Sequence, residues 1–350
     1  MGRFENNIMG LIPKEDWLNI GFTVTRPNDP IDGLFGDEKT DNLVARWNTI
    51  AAEYQLPGIA YYHAFDTEAH TTVRVPVDTR FVEKGLIKEK INQSERMRTL
   101  LRSGVQNDQM YEYVINDALN LSDMVITRTK VAKNEVMASG KMTIKENNLE
   151  LTVDYGVPAA QMAFTIDVAG DIASQLQAIA DYADAHGIVL NGMLTSKKVL
   201  TSLRRNKYLQ ILINGNAAEG AMLKNSALYS YLSEEFGITN IVTNDLQYVA
   251  ERKLDANGDI VQTTKRYYPD NKITLFATNP AGRIGAGLWG DPPEIDDFEL
   301  KKDQPRPFVL CSQWFEKDPH VLWTKASSLF IPVLYSPNSL FVVSVTDSSV

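Results

Sequence analysis

The sequence has little of what a secreted or membrane protein requires. Its 350 residues include one cysteine, Cys311, so no disulfide can form within the chain, which fits a reducing cytoplasm. No apolar run approaches the roughly 18–20 residues of a membrane span. Charged residues scattered through 1–17 exclude a signal-peptide core. We therefore expect a soluble protein that is made in the cytosol and associates with no membrane.

Positive charge is also in short supply. The chain has 35 Lys and Arg residues against 44 Asp and Glu residues, a net charge of −9. Affinity for phosphate groups needs clustered basic residues, so this composition excludes a free-standing binder of duplex DNA. It is compatible with a protein that faces packed DNA across a gap. The hydrophobic share of 44% is ample for a globular core.

Motifs for catalysis or metal binding are scarce. None of the four histidines has metal-ligand spacing, and no GxSxG nucleophile motif occurs. Gly285, Gly287 and Gly290 form a GxGxxG pattern, but Asp291-Pro-Pro follows where a dinucleotide-binding turn must open a helix. We interpret this segment as a glycine-rich turn. The sequence thus predicts no catalytic residue, no cofactor and no metal site, and Cys311 is interpreted as a buried strand residue.

Two segments have too much apolar or charged surface to stand alone. Residues 1–55 form an arm in which apolar clusters alternate with Pro and Gly, so the arm must pack on its own chain or on a neighbour. A short helix is predicted at 40–53. Residues 58–91 look extended and heavily charged, with strands predicted at 59–65 and 71–75. A long two-stranded excursion is marginal in water, so we expect it to lie across a partner.

The rest of the chain indicates a rod helix and a compact α/β unit. Apolar residues recur at helical spacing over 107–138, which predicts a rod-like helix of about 45 Å. A hairpin is predicted over 141–155, with its turn at Asn147-Asn148. Helices and strands then alternate over 166–300, with Asp171 and either Thr195 or Ser196 as helix starts and strands predicted at 188–190 and 238–242. Residues 305–350 are rich in strand formers. Five basic residues cluster within 197–207, and we interpret them as a solvated helix face or as intersubunit ion pairs in preference to a phosphate site.

The apolar surface of the arm and the charged surface of the extended segment imply a partner that covers them, and a second copy of the same chain is the simplest candidate. The residues predicted to contact a neighbour are Arg74, Arg80, Glu83, Lys84 and Lys88 of the charged extension and Trp17 and Phe35 of the arm. Reversing the charges of Arg80, Lys84 and Lys88 together should impair assembly more than folding of the subunit. A multiple reversal is needed because one exposed ion pair contributes only about 0–1 kcal/mol.

Several ordered motifs carry a family resemblance. Tyr268-Pro-Asp-Asn-Lys-Ile-Thr-Leu-Phe276 is followed by Gly285, then by Leu288-Trp-Gly-Asp-Pro-Pro-Glu294 and Phe315-Glu-Lys-Asp-Pro319. In this order and spacing the chain resembles the major capsid proteins of lambda-type tailed bacteriophages. It departs from the family pattern at Asn271, where glycine is commoner. The resemblance covers most of the chain and is weakest at 1–55.

The resemblance implies an α+β fold of the Hong Kong ninety-seven type. The implied parts are an N-terminal arm at 1–55, an E-loop at 56–95, a peripheral P-domain at 96–165 and 305–350, and an axial A-domain at 166–304. It further implies a non-enzymatic head protein that assembles as hexamers and pentamers into an icosahedral shell around double-stranded DNA. Implied partners are a scaffold, a portal and in some relatives a decoration protein. The protein would reside in the virion after assembly in the host cytoplasm.

Two alternatives remain open at this stage. An encapsulin-like bacterial nanocompartment shell shares the fold, and a neighbouring gene for a cargo enzyme instead of a portal or terminase would favour it. A nucleotide-binding α/β enzyme rests only on Gly285, Gly287 and Gly290, and nucleotide titration without heat or fluorescence change would remove it.

Overall fold

The computed structural model describes residues 29–50, 77–95, 107–215, 220–255, 259–298, 305–318 and 320–347, with single positions within 17–20 and 59–74. It mixes helices and sheets, which confirms the α+β class. In chain order the elements are α1 (Pro30–Leu34), β1 (Phe35–Lys39), β2 (Val44–Ile50), β3 (Val77–Glu83), β4 (Gly85–Gln93), α2 (Asn107–Ser139), β5 (Lys141–Glu146), β6 (Leu149–Asp154), α3 (Ala159–Met162), β7 (Thr165–Asp167), α4 (Ile172–Ala185), β8 (Gly192–Thr195), α5 (Lys197–Arg205), α6 (Lys207–Asn214), α7 (Asn225–Phe236), β9 (Asn240–Thr243), β10 (Gln247–Leu254), β11 (Ile260–Arg266), β12 (Lys272–Phe276), β13 (Gly285–Gly290), β14 (Leu310–Lys317), β15 (His320–Leu334) and β16 (Leu340–Thr346).

The predicted rod helix is present as α2, whose 33 residues span about 50 Å. It ends where Gly140 adopts a φ of +65°, a left-handed conformation that glycine allows without strain. The β5–β6 hairpin follows as predicted, and its turn residues Asn147 and Asn148 both have positive φ. These three features depend on local sequence alone, so the sequence predicts them well.

The first sheet is built around the long strand β15. One edge of β15 pairs with β14 and β13, and the other edge pairs with β4. β1 adds to β13 in parallel, which brings residues 35–39 of the predicted arm into the sheet of their own subunit. The rod α2 packs on this sheet, and one cluster of buried residues joins them.

The second sheet has the order β7-β16-β12-β8-β9 and joins two cores. Because strand side chains alternate between faces, Leu340 and Val342 of β16 enter the cluster around α2, whereas Phe341 and Val343 enter a second cluster with the helices α4 to α7. β16 therefore holds the compact α/β unit against the rod.

Caps and stops in the compact unit follow the sequence closely. The carboxylate of Asp171 accepts from Ala173 N and Ser174 N at the start of α4, and Ser196 Oγ accepts from Val199 N at the start of α5. Gly237 closes α7 in a left-handed conformation. The predicted strand at 238–242 corresponds to β9, which begins two residues later.

Three secondary-structure predictions are wrong. Residues 40–53 contain the strand β2, not a helix, because Ala45 and Trp47 are buried at the strand period of two while β2 pairs with β3. Residues 188–190 are not a strand, and β8 begins at Gly192. At 59–65 and 71–75, the positions that the structure describes are not strand; the observed strands are β3 and β4, later in the chain.

The glycine-rich segment is the strand β13, not a turn, and this prediction is also wrong. A Cβ atom at Gly285 would lie 2.2 Å from the carbonyl oxygen of Val333, and one at Gly287 would lie 2.8 Å from an oxygen of Asp37. The glycines therefore allow neighbouring strands and side chains to approach closely. A pattern of glycines cannot by itself distinguish this packing role from a turn.

A buried ion cluster fixes the arm to the rod. Lys133, on α2, is 1% exposed, and its Nζ lies 3.0 Å from Oδ1 of Asp32 and 3.0 Å from Oδ1 of Asp37. Trp289 Nε1 also donates to Asp37, at 2.8 Å. Lys130 makes a longer ion pair with Asp32. Each buried charge thus has a partner of opposite sign, and α1, β1, β13 and α2 meet at this point.

Replacing Lys133 should destabilise the subunit strongly. Lys133→Ala leaves two carboxylates without their shared cation, and we expect a loss of about 3 kcal/mol in the free energy of unfolding, measured by urea denaturation of the unassembled subunit. Lys145→Ala is the control, because Lys145 pairs with Glu150 on the surface and should cost no more than about 1 kcal/mol. Equal losses in the two variants would contradict a structural role for the cluster.

Candidate assembly surfaces

The chain from β2 to β3, which we call the extension, leads into the first sheet. β2 and β3 pair antiparallel from Val44↔Glu83 to Ile50↔Val77, and β3 leads into β4 through Lys84. Among the described positions between β2 and β3, Tyr62 is 106% exposed and Phe65 is 99% exposed. Large apolar side chains at this exposure on a polar extension are typical of a surface that a partner covers.

Lys84 anchors the root of this extension. Its side chain is 4% exposed, and its Nζ donates to the carbonyl oxygen of Thr40 at 2.7 Å, to Thr40 Oγ1 at 2.8 Å and to the carbonyl oxygen of Trp289 at 3.0 Å. Burial lowers the pKa of this ammonium group. The prediction that Lys84 forms an intersubunit ion pair is therefore corrected: its donors are used within the subunit, and its role is in the fold.

A partly buried carboxylate, that of Asp291, lies beside this root. Asp291 forms an ion pair with Lys39 at 2.7 Å and accepts a hydrogen bond from Arg306, and Lys39 also donates to the carbonyl oxygen of Pro307 at 2.7 Å. Burial alone would raise the pKa of Asp291, but the hydrogen bonds and charges of Lys39 and Arg306 outweigh burial and hold that pKa below its ordinary value. The loop after β13 is thereby tied to β1.

The other predicted contact residues divide between the interior and the surface. Trp17 is 5% exposed and Phe35 is fully buried, so both pack within the subunit. Arg80 donates to the carbonyl oxygen of Asp154 at 2.8 Å, next to Gly156. Arg74, Glu83 and Lys88 are exposed. For these exposed residues, contact with a neighbour stays a prediction.

Two exposed apolar surfaces were not predicted from the sequence. On the β10–β11 hairpin, Ile260 is 68% exposed and Val261 is 51% exposed; on α6, Tyr208 and Leu212 are more than half exposed. The exposed apolar surface of α6 could have been predicted from the sequence, because the helix Lys207–Asn214 is apolar on more than one face.

No cluster of metal-ligating side chains occurs in the part of the chain that the structure describes, and none of its described helices is long and apolar enough to cross a membrane. The strand conformation of 285–290 removes the basis for a nucleotide-binding turn, since no α-helix follows it directly and Pro293–Phe298 forms only a short 3-10 helix. Cys311 is fully buried against Ser122 Oγ, at 3.1 Å, and burial raises the pKa of its thiol to about 11. A thiol in this environment is a packing residue and not a nucleophile.

Comparison with known proteins agrees with this architecture. The family model described as phage major capsid protein E matches residues 57–345. A prophage protein of Escherichia coli CFT073 assigned as a capsid protein superposes with a TM-score of 0.55 and 14% identity, covering 96% of this chain and 99% of that one. A phage-related protein of Bordetella bronchiseptica RB50 gives a TM-score of 0.50 and 11% identity, covering 94% and 96%. No curated protein sequence matches this chain.

Acid should weaken the root of the extension. Because the pKa of Asp291 is depressed in the folded subunit, its stabilising contribution is complete above the unfolded value of about 4 and is lost as pH falls through the lower folded value. Asp291→Asn should therefore lower stability at neutral pH and weaken the acid dependence of the unfolding free energy between about pH 5 and pH 2. The exposed Asp181→Asn serves as the control and should retain that dependence. An unchanged acid profile in Asp291→Asn would refute this assignment.

Proposed function

The chain belongs to the phage major capsid protein E family, and from this premise we propose how its copies form the shell of a phage head. It is a structural protein of the capsid with the fold of Hong Kong ninety-seven-type shells. Its function is self-assembly, as hexamers and pentamers, into an icosahedral shell that encloses double-stranded DNA. The single observation that carries this conclusion is the family match across residues 57–345.

The distribution of apolar surface supports a role in assembly. The subunit keeps two well-packed cores, yet it exposes Tyr62 and Phe65 on one extension and Ile260 on another. An isolated two-stranded hairpin is at best marginally stable in water, so a partner that covers it stabilises it. Copies of the same chain supply such a partner at high local concentration.

The parts of the subunit receive these roles in the proposal. The E-loop, at 56–95, lies over a neighbouring subunit, the P-domain comprises 96–165 and 305–350, and the A-domain comprises 166–304. The arm at 1–55 packs partly on its own subunit, as Phe35 already does. Arg74 and Glu83 of the extension and Lys88 of β4 are the proposed intersubunit contacts, and Arg80 supports the position of the extension from within the subunit.

The proposed partners beyond the subunit itself are a separate scaffold, a portal and a decoration protein. Assembly takes place in the host cytoplasm, and the mature protein is part of the virion. The protein performs no catalysis in this proposal, in keeping with a fold whose buried polar groups serve packing. Its net charge of −9 suits a shell that encloses DNA without binding it sequence-specifically. The encapsulin alternative has less support, since the matching family is one of phage capsids.

Purified protein should form closed particles. Electron microscopy of the expressed chain, alone and with the scaffold from the same phage, should show shells or ring-shaped capsomers, because the exposed extensions need a neighbour to cover them. A protein that stays monomeric under both conditions, and is never the dominant band of virion preparations, would contradict the proposal.

Charge reversal at Arg74 and Lys88 should impair assembly and leave the subunit folded. The double variant Arg74→Glu, Lys88→Glu would place like charges at a contact that we propose to be complementary in the native chain, which can cost several kcal/mol per interface. Particle yield is measured by sedimentation and subunit stability by urea denaturation. The charge-conserving control Arg74→Lys, Lys88→Arg should assemble normally. Shells of normal yield from the reversed variant would show that these residues make no such contact.

A further inference from the structure

One flank of the compact unit exposes apolar side chains that its core does not use. Tyr208 and Leu212 lie one turn apart on α6, 51% and 57% exposed, whereas Leu209 between them is fully buried. Met222 is 42% exposed and lines the same surface depression as Arg205 and Lys207. A helix that is apolar on both its inner and outer sides is typical of one that is covered on both sides.

This flank is also rich in basic side chains, of which Lys198 is paired with Asp270. The segment 196–215 contains five basic residues and no acidic one. Arg205 and Lys207 are exposed next to Tyr208. We call Arg205, Lys207, Tyr208, Leu212 and Met222 the basic face.

A different part of the same unit has the opposite character. Between α4 and the end of α7 there is a small apolar depression of about 40 Å³. Its lining includes Leu176, Ile179, Ala180, Ile188, Phe236 and Ile238, and Asp184 also borders it. Asp184 and Glu235 are exposed, and Val189 is 79% exposed. Neither 172–191 nor 225–239 contains a Lys or Arg. We call Ala180, Asp184, Val189, Glu235 and Phe236 the acidic face.

The two faces lie toward opposite ends of α4. Asn206, which caps α6, donates from Nδ2 to the carbonyl oxygens of Val168 and Gly170, both at 2.9 Å, just before α4 begins. The depression is lined by residues from Leu176 to Leu190, along the second half of α4 and the segment after it. One copy can therefore present both faces at once, to two different neighbours.

We propose that the basic face of one copy packs against the acidic face of the next, with the tip of Leu212 at the apolar depression and Arg205 and Lys207 facing Asp184 and Glu235. The depression is far smaller than the roughly 300–1,000 Å³ of a small-molecule site, and its size suits the tip of one side chain. Pairing either face with itself would bring like charges together. The contact is therefore heterologous, and its repetition closes a ring. This inference rests on the proposed function, since it identifies the surfaces that join subunits within hexamers and pentamers.

Crosslinking distinguishes this arrangement from a symmetric contact. In particles of the double variant Ala180→Cys, Leu212→Cys, a short bismaleimide should join each subunit to the next and give a ladder of up to five or six copies on a denaturing gel. Each single variant should give no crosslinked product. Cys311 does not react with the bismaleimide, because it is fully buried and burial raises the pKa of its thiol to about 11.

The outcomes separate this inference from the function on which it rests. Dimers from Leu212→Cys alone would show a symmetric contact and overturn the inference. Intact particles of the double variant without a ladder would also overturn it, while leaving the capsid function standing. Native protein that forms no particle in the presence of its scaffold would instead refute the proposed function.

Charge exchange tests the same contact independently. Arg205→Glu with Lys207→Glu, or Asp184→Lys with Glu235→Lys, should each lower particle yield at least about tenfold, because like charges then meet at every contact in the ring. All four changes in one chain restore complementarity and should restore assembly, and Arg205→Lys with Lys207→Arg should assemble as the native chain does. Thermal denaturation of each variant checks that its subunit is folded. Normal yield from either reversed pair, or no recovery in the fourfold variant, would overturn the inference.

Discussion

The buried pairing of Lys133 with Asp32 and Asp37 is the constraint on which the rest of the subunit depends. A lysine that is 1% exposed requires compensating charge, and both carboxylates come from the arm, about 100 residues earlier in the chain. The rod α2 therefore cannot reach its buried position unless α1 and β1 are in place. Once β1 is fixed, its parallel pairing with β13 follows, and Trp289 of β13 donates to the same Asp37. One ion cluster thus sets the relation between arm, rod and sheet.

The compact unit is attached to the same rod by polar contacts at the rod's carboxyl end. Lys272 donates to the carbonyl oxygen of Ala138, and Thr274 Oγ1 donates to that of Met137. These carbonyls have no partner within the helix, so a cation and a hydroxyl group from β12 satisfy them. Asn244 adds a third connection, because its amide donates to Asn134 on the rod and to Asp29 at the start of α1. Burial raises the pKa of Asp29, which is consistent with its deep position at this junction.

The sequence predicts those features whose causes are local. The rod α2, the turn at Asn147-Asn148 and the cap at Asp171 each depend on residues within a few positions of one another. The strand β2 does not, because its partner β3 begins 27 residues after β2 ends, and without that partner Val44 and Trp47 fit a helical spacing equally well. Lys84 shows the same limit: a lysine is exposed by default, and its burial depends on carbonyl groups of Thr40 and Trp289. The glycines of β13 are explained only by the strands packed against them.

The buried polar contacts within the subunit also affect how its copies can assemble. Its buried charges connect arm, rod, sheets and compact unit to one another, so the body presents its surfaces in a fixed relation. Heterologous contacts close a ring only when the two faces of each copy keep a constant angle between them. The β2–β3 pair packs on the body through the buried Ala45 and Trp47, whereas most side chains of the β10–β11 hairpin are exposed, and a hairpin with so little packing can adapt to neighbours. Within one ring the proposed faces keep a constant angle, and the adaptable β10–β11 hairpin can accommodate the difference in angle between a pentamer and a hexamer.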